Sequence, residues 1–267
     1  MFFNRCVKNP TRCHSFKLST YCDLSTPVDI FSQGNVTRLL YLPNLASLFY
    51  KMRINPVRKI GPGYRSITGK HPSQKSQTIL QFESSLERDF LTLLEFDEEV
   101  DYYGVQPLTI FYSHNEKPAR YTPDVMVYYL PDLNKKPGLF EIKYQADLLE
   151  KTDFYEAKFN AAAEYAFTNN YEFTVITEKN IRTDYLKNIK FLSRYYKNFI
   201  NPTLSTIVFT SIVKNAAVTP QAVIQSLPDK EKANTLYTIW QMLARKILCC
   251  DMEKQITMSS KIWVKNA

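Results

Sequence analysis

Residues 125 to 130 alternate in a way that reads as a strand. Val125, Val127 and Tyr129 fall on one side of an extended chain, and Met126, Tyr128 and Leu130 on the other. Leu139, Phe140 and Ile142 make a second short apolar run. Between the two lies Pro131-Asp132-Leu133-Asn134-Lys135-Lys136-Pro137-Gly138, rich in turn formers. The pattern predicts a β-hairpin. On its second strand Glu141 and Lys143 share a face, and Ile142 points the other way, into the core.

The flanking pattern is helical. Phe82, Leu86, Phe90, Leu93 and Leu94 recur at helical spacing and predict a helix from Phe82 to about Glu98, with Ser84 or Ser85 as its cap. Val100 to Val105 then leads into Gln106-Pro107 and a strand from Leu108 to Tyr112. His114 to Lys117 reads as a hairpin turn, and one strand is expected from near Arg120 through Asp124 to Tyr129. A second helix is expected over Gln145 to Phe167, with a broad apolar surface that includes Leu148, Leu149, Phe154 and Ala162. Its Lys151 and Lys158 read either as pointing toward DNA or, in preference, as solvated surface residues. Tyr171 to Thr177 reads as a strand, so the order strand, helix, strand implies a right-handed crossover and a mixed sheet. Asn180 to Phe199 follows as a helix.

The last part has its own pattern. Helices are expected over Leu204–Val213, from Thr219-Pro220 to Leu227, and from Pro228-Asp229 onward. Short strands are expected at Ile247–Asp251 and Gln255–Ser260. Three helices and a two-stranded wing describe a winged-helix-like domain, which binds DNA or a protein; docking on a protein, or a mixed role, is preferred. The start of the chain says least. A short helix is expected within Val36 to Tyr50, with no assigned role.

Composition narrows the class. The chain has 267 residues, 45% of them apolar, enough for two small domains or one large one. No apolar run approaches the ~18 residues of a membrane span, and the start lacks the apolar stretch of a signal peptide. Cys6, Cys13, Cys22, Cys249 and Cys250 are an odd number; the first three stand seven and nine residues apart, which fits no common zinc pattern. Reduced cysteines in a cytoplasmic protein are expected.

Charge comes in blocks. Residues 1–75 carry twelve Lys or Arg against two acids, residues 76–150 six against fourteen, and residues 151–267 sixteen against ten. An acidic middle inside a basic chain is what a metal site within a polyanion binder would show. The densest basic stretch runs through Lys51, Arg53, Arg58, Lys59, Arg65 and Lys70, interleaved with Gly61, Gly63, Gly69 and Tyr64. It is expected either to track a DNA backbone, with Arg58, Lys59, Arg65 and Lys70 on phosphates, or to be a solvated loop.

The hairpin supplies the candidate chemistry. With Asp124 at the start of the first strand, one face carries Asp124, Glu141 and Lys143. Two carboxylates suit Mg²⁺ or Mn²⁺, which prefer oxygen ligands, and a lysine beside them positions a water and neutralises developing charge. Glu87 borders the apolar stripe of the preceding helix and is expected to reach over the sheet edge toward the ion; its plainer role is a solvated helix acid that pairs with Arg88 or caps the N-terminus. The plainer account of the hairpin residues is two strand acids and a surface ion pair.

The stretches Phe82-Glu83-Ser84-Ser85-Leu86-Glu87-Arg88-Asp89-Phe90, Gln106-Pro107, Tyr121-Thr122-Pro123-Asp124 and Phe140-Glu141-Ile142-Lys143 resemble the PD-(D/E)xK nuclease superfamily, and more closely the TnsA family. Thr177-Glu178-Lys179 and Asn188 to Tyr196 agree with it. TnsA is the endonuclease subunit of heteromeric cut-and-paste bacterial transposons. Some of its members carry Gln as the first acid of E-x-K; this chain keeps Glu141.

The resemblance implies an α/β (α+β) fold, a restriction-endonuclease-like mixed sheet flanked by helices, followed by the C-terminal domain. It divides the chain into an N-terminal extension (1–57), a nuclease domain (58–180) and a C-terminal domain (181–267). It implies one or two Mg²⁺ or Mn²⁺ ions held by Glu87, Asp124, Glu141 and the Ile142 carbonyl, with Lys143 orienting the attacking water. Gln106 would lie near the site or on DNA. The implied activity is cleavage at the 5′ ends of a transposon. Implied partners are transposon-end DNA, a TnsB-like DDE transposase and a TnsC-like AAA+ regulator, at the nucleoid of a bacterial cytoplasm. A stand-alone restriction- or resolvase-like nuclease and a catalytically idle DNA-binding adaptor remain as alternatives.

Overall fold

The computed structural model describes residues 54–57, 67–196, 199–215 and 218–265. All of them belong to one compact unit, Met52–Lys265. The expected helix within Val36 to Tyr50, and Arg58, Lys59 and Arg65 of the basic stretch, lie outside the described residues.

Among the described residues the first elements are a hairpin that the hydrophobic pattern does not announce. Strands β1 (Gly69–Ser73) and β2 (Thr78–Phe82) pair antiparallel. Lys70 sits exposed on β1, opposite Gln81. Phe82 therefore ends a strand and does not begin the helix. The helix α1 is Ser85–Phe96, with the Ser84 hydroxyl accepting from the Glu87 N–H at 3.1 Å as its cap. Its stripe of Leu86, Phe90, Leu91, Leu93 and Leu94 is buried.

Strands β3 (Val100–Val105), β6 (Val125–Tyr129), β7 (Gly138–Ile142) and β8 (Glu172–Ile176) form the central sheet in the order β3-β6-β7-β8. The first three are antiparallel, and β7 and β8 are parallel, so the sheet is mixed. Between β3 and β6 the chain makes a separate hairpin of β4 (Ile110–His114) and β5 (Lys117–Tyr121). Its turn residues Asn115 and Glu116 have φ of 50° and 62°, as a tight two-residue hairpin turn requires. The single strand expected from Arg120 to Tyr129 is thus two strands in two sheets. Pro123 lies between them and offers no N–H to either ladder.

Two helices make the crossover from β7 to β8. The expected continuous helix is broken at Lys151 into α2 (Gln145–Glu150) and α3 (Thr152–Thr168). Of its apolar surface, Ala162 and Ala166 are buried, whereas Leu149, Phe154 and Phe167 are exposed. The helix expected over Asn180–Phe199 is also divided, into α4 (Glu178–Ile181), α5 (Asp184–Leu192) and a 3₁₀ turn at Ser193–Tyr195. Thr177 and Asn180 close a capping box at the start of α4, and after the break at Arg182 Thr183 begins the second helix.

The alternation of the strands sorts the two faces. Val125, Val127 and Ile142 pack with Phe90, Leu94, Leu186 and Ile189, on the face covered by α1 and α5. Met126 and Leu139 pack with Ile110, Tyr121 and Ala162, on the face covered by α3 and the β4–β5 hairpin. Glu141 shares the register of Leu139, so it is turned toward α3.

The C-terminal part builds its own core from α6 (Pro202–Asn215), α7 (Pro220–Gln225), α8 (Asp229–Ala244) and the antiparallel pair β9 (Leu248–Cys250) and β10 (Ile262–Val264). The second strand lies beyond the Gln255–Ser260 segment expected for it. That segment is a loop, turned by the Ser260 hydroxyl accepting from the Thr257 N–H at 2.9 Å. Asn188 of α5 fastens the loop. Its amide donates to the Met252 and Lys254 carbonyls at 2.9 and 2.8 Å and accepts from the Ile256 N–H at 2.9 Å. Among the described residues no helix is long and apolar enough to cross a membrane.

Candidate active site

The face turned toward α3 gathers the hairpin chemistry at the end of β7. The Lys143 ammonium lies 2.9 Å from Glu141 Oε1, 3.3 Å from Asp124 Oδ2 and 3.1 Å from the Ile142 carbonyl. Asp124 is fixed by a second bond, since the Ile142 N–H donates to its Oδ2 at 2.7 Å. Three of the expected site residues, Asp124, Glu141 and Ile142, therefore meet around a fourth, the Lys143 cation.

Burial sets the protonation of this group. Burial and the neighbouring Glu141 push the Asp124 carboxyl up, to about 7, against the pull of Lys143. Glu141 is buried too, but Lys143, Lys158 and Tyr121 hold it below the ordinary carboxylate value. For Lys143 burial opposes the charge, and Asp124 and Glu141 outweigh it, so its value is raised.

Glu87 stands apart from that ring. Its carboxylate accepts from the Glu83 N–H at 2.8 Å and the Ser84 hydroxyl at 3.0 Å, which is the capping role. It lies on α1, which covers the opposite face of the sheet. Burial raises its value, opposed by those two hydrogen bonds and by Lys143. Gln106 is buried with φ of 49°, and its N–H donates to the Asp124 carbonyl at 2.9 Å. Its side-chain amide donates to Glu83 Oε1 at 3.0 Å, and its Oε1 is without a hydrogen-bond partner.

The sequence reading missed two residues of the site. Lys158 is not a solvated surface lysine: its ammonium lies 2.6 Å from Glu141 Oε1, and its side chain is 14% exposed. The Tyr121 hydroxyl donates to Glu141 Oε2 at 2.7 Å. A lysine on a helix carries no local signal that it will turn inward. Only the crossover, which lays α3 over Glu141, brings the two together.

The donor set can be tested for a metal. Among the described residues no three His, Cys, Asp or Glu side chains are gathered into a metal cage. Two carboxylates and one carbonyl are gathered, however, and they already ring a cation. Mg²⁺ typically takes one or two carboxylates, with water and substrate phosphate completing its shell, so this set fits such an ion.

A mixed sheet flanked by helices, with Asp124 at the head of one hairpin strand and Glu141-Ile142-Lys143 at the end of the other, is a restriction-endonuclease-like nuclease architecture. Residues 97–178 match the family model described as TnsA-like endonuclease N terminal, and residues 180–252 match TnsA endonuclease C terminal. The chain belongs to the TnsA endonuclease family. It is a nuclease subunit of a Tn7-type transposition system that works on DNA. The first match begins after α1, so Glu83 and Glu87 lie outside it. No curated protein matches the chain.

Proposed function

We propose that the chain is a Mg²⁺- or Mn²⁺-dependent endonuclease that cleaves the 5′ ends of a transposon during cut-and-paste transposition. The observation that carries this reading is the Lys143 ammonium held by Asp124, Glu141 and the Ile142 carbonyl, at 3.3, 2.9 and 3.1 Å. Oxygens that hold one cation are disposed to hold another. Asp124, Glu141 and the Ile142 carbonyl would take one or two ions, with Glu87 adding a carboxylate from α1. The ion would supply Lewis acidity toward the phosphate and acidify a water.

The chain's own residues do the rest. The buried walls on Glu141 keep solvent from its carboxylate. Lys143 keeps its proton and orients the attacking water, and phosphodiester hydrolysis proceeds with no covalent intermediate. Arg58, Lys59, Arg65 and Lys70 contact DNA, whereas Gln106 is buried with its amide on Glu83 and acts from within the fold. A TnsB-like DDE transposase cuts the 3′ ends and joins them to the target, and a TnsC-like AAA+ regulator docks on the C-terminal, winged-helix-like region. In this reading residues 1–57 are an extension, 58–180 the nuclease domain and 181–267 the docking domain, in a bacterial cytoplasm at the nucleoid.

The test is cleavage of labelled transposon-end DNA with Mg²⁺ or Mn²⁺, with and without the partner transposase. Partner-dependent nicking of the 5′ strand that disappears in Asp124→Ala supports the reading. Cutting without the partner would instead make this a stand-alone nuclease, and no cutting under any condition an idle adaptor.

A further inference from the structure

Lys158 is held from every side. Its ammonium lies 2.6 Å from Glu141 Oε1 and 4.2, 5.3 and 5.6 Å from the ring centres of Tyr121, Tyr155 and Phe159. Aromatic faces attract a cation, and most strongly where water is excluded. Tyr121 holds the other oxygen of the same carboxylate. Lys143, by contrast, reaches the ring from the end of a strand and is 24% exposed. Of the two ammonium groups on Glu141, Lys143 is the more exposed, 24% against 14%, and Lys158 alone is packed among aromatic rings.

Charge counting gives this difference a consequence. The cluster holds two carboxylates, Glu141 and, through Lys143, Asp124, and two ammonium groups, Lys143 and Lys158. A divalent ion that takes the place of the Lys143 ammonium still faces the fixed charge of Lys158. Two carboxylates cannot then neutralise both cations. A DNA phosphate brings the missing negative charge to the same place.

We propose that Lys158 is a positioning residue that holds Glu141 and keeps divalent-ion affinity low until DNA is bound, so that ion and DNA load together. The proposal rests on the reading of Asp124 and Glu141 as ion ligands. By linkage, DNA must then raise affinity for the ion by the same factor as the ion raises affinity for DNA.

The experiment is Mn²⁺ binding to the full chain, followed by the paramagnetic resonance of free Mn²⁺, with and without duplex DNA. In wild type, DNA is expected to tighten Mn²⁺ binding about tenfold or more. Lys158→Met fills the aromatic cage without the charge and is expected to bind Mn²⁺ about tenfold more tightly than wild type in the absence of DNA. Lys158→Arg should behave as wild type. Equal or weaker Mn²⁺ binding by Lys158→Met overturns the proposal. If that variant does not fold, the wild-type protein decides alone: Mn²⁺ affinity unchanged by DNA overturns it. Asp124→Asn separates the two readings. Should it bind Mn²⁺ as wild type does, the ligand assignment fails and takes the proposal with it. Should it lose Mn²⁺ while Lys158→Met gains nothing, only the role of Lys158 fails.

Discussion

Arg182 donates from Nε to Asp89 Oδ2 at 3.0 Å, across 93 residues of sequence. Asp89 lies two residues beyond Glu87 on α1, and Arg182 follows α4, at the junction of the two family matches. The same guanidinium donates to the Ser85 hydroxyl at 2.8 Å and lies 5.6 Å from the ring centre of Tyr144, the neighbour of Lys143. Lys190 of α5 adds a second cation, 2.6 Å from Asp89 Oδ1. The segment that leads into the C-terminal part thus fixes the start of the helix that carries Glu87.

Asp89→Ala is therefore expected to cost about 2 kcal/mol. A fully buried pair costs ~3–5 kcal/mol when one partner is removed. Here the carboxylate side chain is 4% exposed, but Arg182, Lys190 and Arg88 are 38%, 43% and 43% exposed, and water takes over part of their solvation. Burial raises the Asp89 carboxyl, yet Lys190, Arg182 and Arg88 carry it below its ordinary value. Its contribution is present above about pH 4 and is lost as pH falls through the folded-state value. Urea unfolding of wild type and Asp89→Ala at pH 7 and near pH 3 checks this. The gap between them should narrow in acid.

Asp124 predicts the opposite slope. Its folded value is raised to about 7, mainly by burial and then by Glu141. The folded chain therefore binds a proton that the unfolded chain has released above about pH 4. Its contribution is full below that pH and is lost as pH rises through about 7. Thermal melts in chelator should show Asp124→Asn gaining on wild type between pH 5 and pH 8. A difference that stays flat over that range would mean that Asp124 keeps an ordinary carboxylate value.

How far the sequence reveals this arrangement depends on the range of each interaction. The hairpin from Val125 to Ile142 is legible because alternation and turn chemistry are local, and so is the Ser84 cap. The break at Pro123 is a weak local signal, since Pro72 and Pro118 stand within paired edge strands. The β1–β2 hairpin is not legible, because Gly69-Lys70-His71-Pro72-Ser73 has no alternating pattern and buries only Ser73. It is held instead by Glu95 of α1, which accepts from the Ser73 and Tyr103 hydroxyls at 2.8 and 2.7 Å. The partners of Glu141 fail for the same reason. Tyr121 and Lys158 meet it only when the sheet register and the crossover helix are both in place.

Gly104 gives a packing test. A Cβ there would stand 2.4 Å from the Ile54 Cβ and 2.6 Å from its Cγ2. These atoms are the stem of a branched side chain, so relief requires the backbone at Ile54 to move. Gly104→Ala is expected to destabilise by about 1–3 kcal/mol, the usual cost of an overpacked core. Chemical denaturation measures it, and the double variant Gly104→Ala with Ile54→Gly, which removes the facing Cβ and Cγ2, should lose less than the sum of the two single variants.

Asn188 tests the attachment of the C-terminal loop. It is 2% exposed and makes three hydrogen bonds to the backbone of Met252, Lys254 and Ile256. Asn188→Ala leaves two carbonyls and one N–H without that partner and is expected to cost about 2–3 kcal/mol. The chemistry allows a sharper comparison. An ionised aspartate accepts but does not donate, so Asn188→Asp keeps the bond from the Ile256 N–H and turns a carboxylate oxygen on two carbonyls. At pH 7 it should be less stable than Asn188→Ala, despite its closer shape. Protonation restores one O–H donor, so the deficit should shrink as pH falls toward 4. Limited proteolysis within residues 251–260 reads the same event locally, because a loop released from α5 opens without global unfolding. Both variants should be cut faster there than wild type. Wild-type cutting rates in both would mean that the loop is held by Ile256 and Met258 packing against the C-terminal core, and that the three hydrogen bonds add little.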